Sequence, residues 1–179
     1  MKKFIIITLF SALIFLNGCD LNLSNLDVQK LSNKAAEYMQ SGEYDKAASR
    51  LEAVIELNPD LPETYYNLGI AYYRMEEFEK ATNAFTEAIN KKPEMADAYY
   101  SRAIAYEDLA YTILDGADKG ENYKPTEEDS TLATEYLQNA KADFENYLKF
   151  KQNADDKPEV EKKIEQINNK LNGDTQEEE

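Results

Sequence analysis

The sequence predicts an all-α fold built from repeated pairs of helices. The pairs Asn58-Pro59 and Lys92-Pro93 are 34 residues apart, and proline ends helices because it lacks an amide donor and disfavours helix in the residue before it. Small and apolar residues recur at matching offsets before each proline. A later segment has apolar residues at helical spacing, namely Val160, Ile164, Ile167 and Leu171. These observations indicate helical hairpins that bury their apolar faces by stacking.

The best-defined repeat starts near Tyr65. Its pattern is Tyr65-x2-Leu68-Gly69-x2-Tyr72, followed by Ala81-x3-Phe85, Ala88 and Pro93. This pattern resembles the tetratricopeptide repeat (TPR) family, with tyrosine at position 65 where tryptophan is usual. The resemblance implies a helical-repeat solenoid in which each repeat has two antiparallel helices, A and B. Small residues are expected where the axes of these helices approach each other.

The resemblance extends more loosely over residues 29–157, which we divide into the repeats 29–61, 62–95 and 96–157. In the first repeat Lys34 stands where Leu is usual, and Gly42 suits a tight turn between the helices. In the third repeat, Tyr99, Ala103 and Tyr106 match the first helix. The second helix appears late, at Leu137, Ala140, Phe144 and Tyr147. We therefore predict an inserted loop near 115–130. Residues 158–172 are predicted to form a capping helix, and 173–179 an acidic tail.

The amino terminus indicates export and lipidation. Two lysines and an apolar run precede Leu16-Asn17-Gly18-Cys19, and that run is too short to span a bilayer comfortably. The ending resembles a bacterial lipobox, with Asn17 in place of the commoner Ala, Ser or Thr. The resemblance implies a signal peptide over 1–18, a diacylglyceryl or other acyl lipid such as palmitate on Cys19, and a short tether over 19–28. The expected location is the exported side of a bacterial cell membrane, and the choice between inner and outer membrane stays open.

Composition narrows the classes of function. The net charge of −15 opposes nucleic-acid binding, which needs clustered Lys and Arg. The chain has no His, and its single Cys lies in the lipobox, so the commonest general base and metal ligand are missing. No Gly-rich phosphate loop is present, and the predicted insertion matches too few ligand positions of an EF-hand calcium loop. We therefore expect neither catalytic activity nor a metal or cofactor, apart from the covalent lipid.

The resemblance implies that helix A of each repeat lines a concave binding groove. The expected groove residues are Tyr66, Ile70, Tyr73, Arg74, Tyr100, Ile104 and Glu107, with further acidic positions at Glu63, Asp97 and Asp108. The corresponding positions in the first repeat are Gln29, Ser32, Ala36, Met39 and Gln40. Tyrosine and arginine are frequent hot-spot residues at protein interfaces.

The sequence thus favours a membrane-anchored adaptor or assembly factor of the cell envelope that binds a peptide or protein segment. Because four acids fall at groove positions, we expect a neutral or basic segment with apolar anchors. Of the residues by which some TPR domains clamp an acidic chaperone tail, only Asn67 is present, so that subtype is not expected. Two alternatives stay open, namely self-packing of the groove against a terminus of this chain and self-association as a structural envelope lipoprotein.

Overall fold

The computed structural model describes residues 25–116 and 123–174, and these residues form seven helices. Helix α1 covers 25–41, and the others are α2 (Tyr44–Leu57), α3 (Pro62–Arg74), α4 (Phe78–Lys91), α5 (Ala96–Asp115), α6 (Glu127–Phe150) and α7 (Lys157–Asp174). The described part is all-α, as predicted, and contains no strand. None of its helices is both long and apolar enough to cross a membrane.

The chain divides into two compact units between Asp60 and Leu61, one residue before the border that we predict between the first two repeats. The first unit contains α1 and α2, joined by the turn at Gly42 and Glu43. Gly42 adopts a φ of 75°, which a residue without a Cβ tolerates at little cost. The amide of Glu43 donates to the carbonyl of Tyr38 at 2.9 Å and closes the turn. The apolar side of this hairpin buries Ala35, Ala47, Leu51 and Val54.

The second unit contains α3 to α7, and each helix packs against the next along the chain. The α3–α4 contact depends on Gly69, because a Cβ at this position would lie 2.5 Å from the ring of Phe85. Phe85 is fully buried, so the ring has little room to withdraw. The α5–α6 pair is antiparallel. The ring of Tyr99, near the start of α5, stacks on Phe150 at the end of α6, with 5.5 Å between centroids.

A buried ion pair joins α5 to α6. The guanidinium of Arg102 donates from Nε and Nη2 to the two carboxylate oxygens of Asp143, at 2.7 and 2.8 Å, and from Nη1 to Thr86 Oγ1 on α4 at 2.8 Å. The rings of Tyr99 and Tyr106 each have a centroid 5.8 Å from the guanidinium carbon. Burial raises the pKa of Asp143, whereas the hydrogen bonds from Arg102 oppose that shift. One arginine therefore ties three helices together.

The structure moves some of the predicted boundaries. Residues 25–28, predicted as tether, are helical, and α7 continues to Asp174. Helix α6 begins at Glu127, inside the predicted loop 115–130, because Thr126 and Asp129 form a capping box at its start. Residues 117–122 of the insertion lie outside the described residues. The two ends of the insertion are in contact. A Cβ on Gly116 would lie only 1.8 Å from the ring of Tyr123.

Candidate binding pocket between α3 and α5

A small pocket lies between α3 and α5 in the second unit. Its volume is about 150 Å³, and it is lined by Ile70, Tyr73, Arg74, Phe85, Tyr100, Ser101 and Ile104. We call it the α3–α5 pocket. Helical spacing explains the lining, because residues three or four apart face the same side of a helix, as Ile70 and Tyr73 do on α3 and Tyr100 and Ile104 on α5. The walls are therefore mostly apolar, and the polar groups that line it belong to Arg74, Ser101 and the two tyrosines.

Each predicted groove tyrosine is partly buried against a neighbouring ring. The ring of Tyr66 lies 5.8 Å from that of Phe85, and the ring of Tyr73 lies 5.5 Å from that of Phe78. Tyr100 contacts Phe144 at 5.6 Å and Tyr147 at 5.1 Å. All three tyrosines pack against buried core residues. They support the pocket walls, and Tyr73 and Tyr100 also line the pocket.

Tyr73 is held by a hydrogen bond to α5. Its hydroxyl donates to Asp108 Oδ2 at 2.7 Å. Burial, and then this bond to a carboxylate, raise the pKa of Tyr73 to about 12. The phenol therefore stays protonated at neutral pH and acts as a fixed strut between α3 and α5.

The acidic groove positions are already engaged within the second unit. Glu63 pairs with Lys92 at 3.3 Å, and Asp97 pairs with Lys151 at 3.3 Å. Glu107 is only 8% exposed and pairs with Lys163 of α7 at 3.1 Å. Asp108 accepts the Tyr73 hydroxyl bond, and none of these acids lines the α3–α5 pocket. The basis for expecting a basic partner segment is therefore weaker than the sequence suggested.

Arg74 differs from these acids. It is exposed, and in the described part of the chain it forms neither an ion pair nor a hydrogen bond through its side chain. It lines the pocket at the end of α3.

The structure brings together five of the seven predicted groove residues in the α3–α5 pocket, namely Ile70, Tyr73, Arg74, Tyr100 and Ile104. Tyr66 lies beside it, against Phe85, while Glu107 is turned towards α7. Ser101 and Phe85 line the pocket and were not predicted. Ser101 follows Tyr100 on α5, and the helical period of 3.6 residues alone does not show whether its side chain points into the groove or to one side of it. Their roles in binding stay a prediction.

Other predicted positions lie elsewhere. Gln29, Ser32, Ala36, Met39 and Gln40 all belong to α1 in the first unit. Cys19, the signal peptide 1–18 and the acidic residues after Asp174 lie outside the described residues. Among the described residues, no three His, Cys, Asp or Glu side chains are grouped so that they could hold a metal ion.

Comparisons with known proteins agree with the repeat assignment. A family model described as a TPR repeat matches residues 35–76, and one described as a tetratricopeptide repeat matches residues 62–95. No curated protein sequence matches the chain.

Several solved structures share the fold. The second TPR domain of human RPAP3, solved with an HSP70 peptide, has a TM-score of 0.61 at 16% identity and covers 81% of this chain and 98% of its own. The first TPR of Spaghetti (RPAP3), bound to an HSP90 peptide, has a TM-score of 0.60 at 21% identity, covering 81% and 93%. The Yersinia enterocolitica type III secretion chaperone SycD, with a peptide of the translocator YopD, has a TM-score of 0.60 at 15% identity, covering 79% and 92%. At these identities the likeness concerns the fold, and this chain therefore contains tetratricopeptide repeats in an all-α TPR helical-repeat fold.

Proposed function

We propose that this protein is a lipid-anchored interaction module that holds a peptide or protein segment of a cell-envelope partner in the α3–α5 pocket. The observation that carries the proposal is the pocket itself, with apolar walls and an exposed arginine on its lining. Anchor side chains in protein interfaces fill pockets of this kind, and aromatic and arginine residues contribute much of the binding energy.

The volume sets the size of the anchor. Cavities of about 150 Å³ with apolar linings accept a molecule the size of benzene. One Leu, Ile or Phe side chain of a partner therefore fits inside the pocket. The TPR structures solved with HSP70, HSP90 and YopD peptides support the general idea that such a fold receives short segments.

The lipid anchor is proposed from the sequence alone. Lipidation at Cys19 would hold the protein to the membrane, since each buried methylene of an acyl chain contributes about 0.8 kcal/mol. Because α1 is already formed at residue 25, about five residues separate it from Cys19. Even fully extended, such a segment spans at most about 18 Å. The first unit would then lie close to the membrane surface.

The pocket can be tested by filling it. Ser101→Trp adds a ring at the lining without removing any of the tyrosines that support the walls. Ser49→Trp, on an exposed site of α2, is the matched control. Each variant is expressed in intact cells, crosslinked and purified, after circular dichroism and membrane fractionation have confirmed helicity and anchoring. A partner in the pocket should be lost from Ser101→Trp and retained by Ser49→Trp.

The same envelope proteins captured equally by wild type and both variants would contradict a binding role for the pocket. The anchor is tested separately with Cys19→Ala. Mass spectrometry of the intact protein should show an acyl group on the wild type and none on this variant. A wild-type protein that carries no acyl group at Cys19 would rule out the lipid as the anchor.

A further inference from the structure

The charges around the α3–α5 pocket indicate the chemistry of its partner. This step rests on the proposed function, because it concerns the same pocket. Glu63, Asp97 and Glu107 are each neutralised by a lysine of the second unit, at 3.3, 3.3 and 3.1 Å. These lysines offset the charges of the three acids, which therefore attract a basic segment less than their number suggests.

The polar groups at the pocket include two that can donate to an incoming acceptor. Arg74 offers an exposed guanidinium with no carboxylate paired to it in the described residues, and Ser101 offers a hydroxyl. No carboxylate lines the pocket. An arginine beside an apolar cavity matches a carboxylate, which it can bind through two parallel hydrogen bonds.

We propose that the partner segment carries an acidic side chain next to its apolar anchor, with the anchor between Ile70 and Ile104 and the carboxylate on Arg74. The segment is internal to the partner chain. The pocket lies partway along α5, between Ala96 and Asp115, with Tyr66 on one side of it and the Tyr73–Asp108 bond on the other. A terminal carboxylate with its neighbouring side chains would need more hydrogen-bond donors than the single guanidinium of Arg74 provides.

The test selects peptides without presupposing their sequence. Random dodecapeptides displayed on phage are selected against the purified full-length chain in detergent. The affinities of the enriched peptides are then measured by fluorescence anisotropy for wild type, Arg74→Gln, Arg74→Glu and Ser101→Trp. Arg50→Glu, an exposed site in α2, is the matched control for the change in charge. Each peptide is also made with its acidic residue changed to the amide, and with its carboxyl terminus amidated.

The proposal expects enriched peptides with Asp or Glu beside Leu, Ile or Phe. Arg74→Gln and the amide-substituted peptide should each weaken binding about five- to tenfold, as expected for one partly exposed charge-assisted hydrogen bond. Arg74→Glu should weaken it further, whereas Arg50→Glu and amidation of the carboxyl terminus should leave it unchanged.

Other results would overturn specific parts. If the peptides lose binding to Ser101→Trp but bind Arg74→Gln as tightly as wild type, the pocket is a binding site, but the proposed acidic side chain on Arg74 is contradicted. Loss of affinity on amidation of the terminus would replace the internal acidic side chain with a terminal carboxylate. If no enriched peptide responds to Ser101→Trp, the pocket is not the binding site, and the proposed function itself fails.

Discussion

At Gly69 the lack of a side chain decides how closely α3 approaches α4. An added Cβ would lie 2.5, 2.6 and 2.9 Å from three atoms of the fully buried Phe85 ring. Gly173, in the last turn of α7, has no atom within 4 Å of the same position. These two glycines therefore have opposite constraints, although both lie in helices of the structure.

We expect Gly69→Ala to lower the free energy of unfolding by about 1–3 kcal/mol, because overpacking outweighs the gain of about 1 kcal/mol in helix propensity. Gly173→Ala should be neutral or slightly stabilising. Urea unfolding followed by circular dichroism checks both variants. Equal or higher stability of Gly69→Ala would contradict the assigned contact with Phe85.

The raised pKa of Tyr73 makes its hydrogen bond to Asp108 dependent on pH. The hydroxyl bond to Asp108 requires the protonated phenol, so the stability it contributes is complete below pH 10.0 and is lost as the pH rises through about 12. We expect Tyr73→Phe to lower the free energy of unfolding by about 1–2 kcal/mol at neutral pH. That difference from wild type should narrow between pH 10 and 12.

Denaturant titrations at several pH values measure this difference. The same comparison in an Asp108→Asn background tests whether Asp108 accepts the hydrogen bond from Tyr73. The amide keeps an acceptor but removes the charge, so the narrowing should still begin near pH 10.0 but should be complete at a lower pH than in the wild-type comparison. A difference between wild type and Tyr73→Phe that is constant up to pH 12 would contradict the assigned role of the bond.

Turn geometry shows how far single residues can be predicted. Gly42 was predicted to form the tight turn of the first repeat, and its φ of 75° agrees. The equivalent turn in the next repeat, 34 positions later, has Glu76 at a φ of 61°. A glutamate in this region carries a steric cost that the surrounding hairpin imposes, and nothing in its residue type indicates it.

Between helices, the pair Arg102–Asp143 is the contact that the repeat pattern did not predict. Arg102 stands 34 positions after Leu68, at an offset where the second repeat buries an apolar side chain. A charged residue at a core offset signals a buried partner, but the sequence does not say which of many acids it is. The insertion before α6 also hides the partner, because it shifts the register of the second helix of the third repeat.

Removing one member of this pair should cost much more than removing both. We expect Asp143→Ala to lower the free energy of unfolding by about 3–5 kcal/mol, since it leaves the guanidinium buried without its carboxylate. Arg102→Leu combined with Asp143→Leu should recover most of that loss, because no buried charge is then left without a partner. Wild type, Arg102→Leu, Asp143→Leu and the double variant form a double-mutant cycle, and urea unfolding compares these four proteins with Asp143→Ala. Additive losses would show that the two side chains do not act as a pair.

At the scale of the helices, the pattern predicted most of the architecture and the packing corrected the details. The prolines at 59 and 93 ended α2 and α4 where expected, because proline disrupts a helix whatever surrounds it. The pairing of Glu107 with Lys163 was not predicted, since it depends on how α7 packs beside α5. Glu107 is therefore turned towards Lys163 of α7 and does not line the pocket.

For the whole molecule, charge is the dominant property. The chain carries 35 acidic and 20 basic residues, and loss of a signal peptide with Lys2 and Lys3 would make the remainder more negative still. Most of its ion pairs are exposed and contribute little each, so long-range repulsion should outweigh them.

We therefore expect added salt to stabilise the protein. Raising NaCl from about 0.01 M to 0.3 M shortens the screening length from about 30 Å to less than 10 Å and should increase the unfolding midpoint by a few degrees, corresponding to about 1 kcal/mol. Thermal unfolding at a series of NaCl concentrations measures this. Sucrose at matched osmolality is the control for effects other than screening. A midpoint that falls with salt would mean that ion pairs outweigh the repulsion.

The buried pair described above has a consequence for how the repeats can be exchanged. In consensus arrays, any unit can replace any other, because each presents the same apolar face to its neighbours. Here a copy of α3 in place of the start of α5 would put the side chain of Leu68 opposite Asp143 and leave a buried carboxylate without a cation. The third repeat therefore does not accept the first helix of the second repeat, and Arg102 is the residue that distinguishes the two helices at this position.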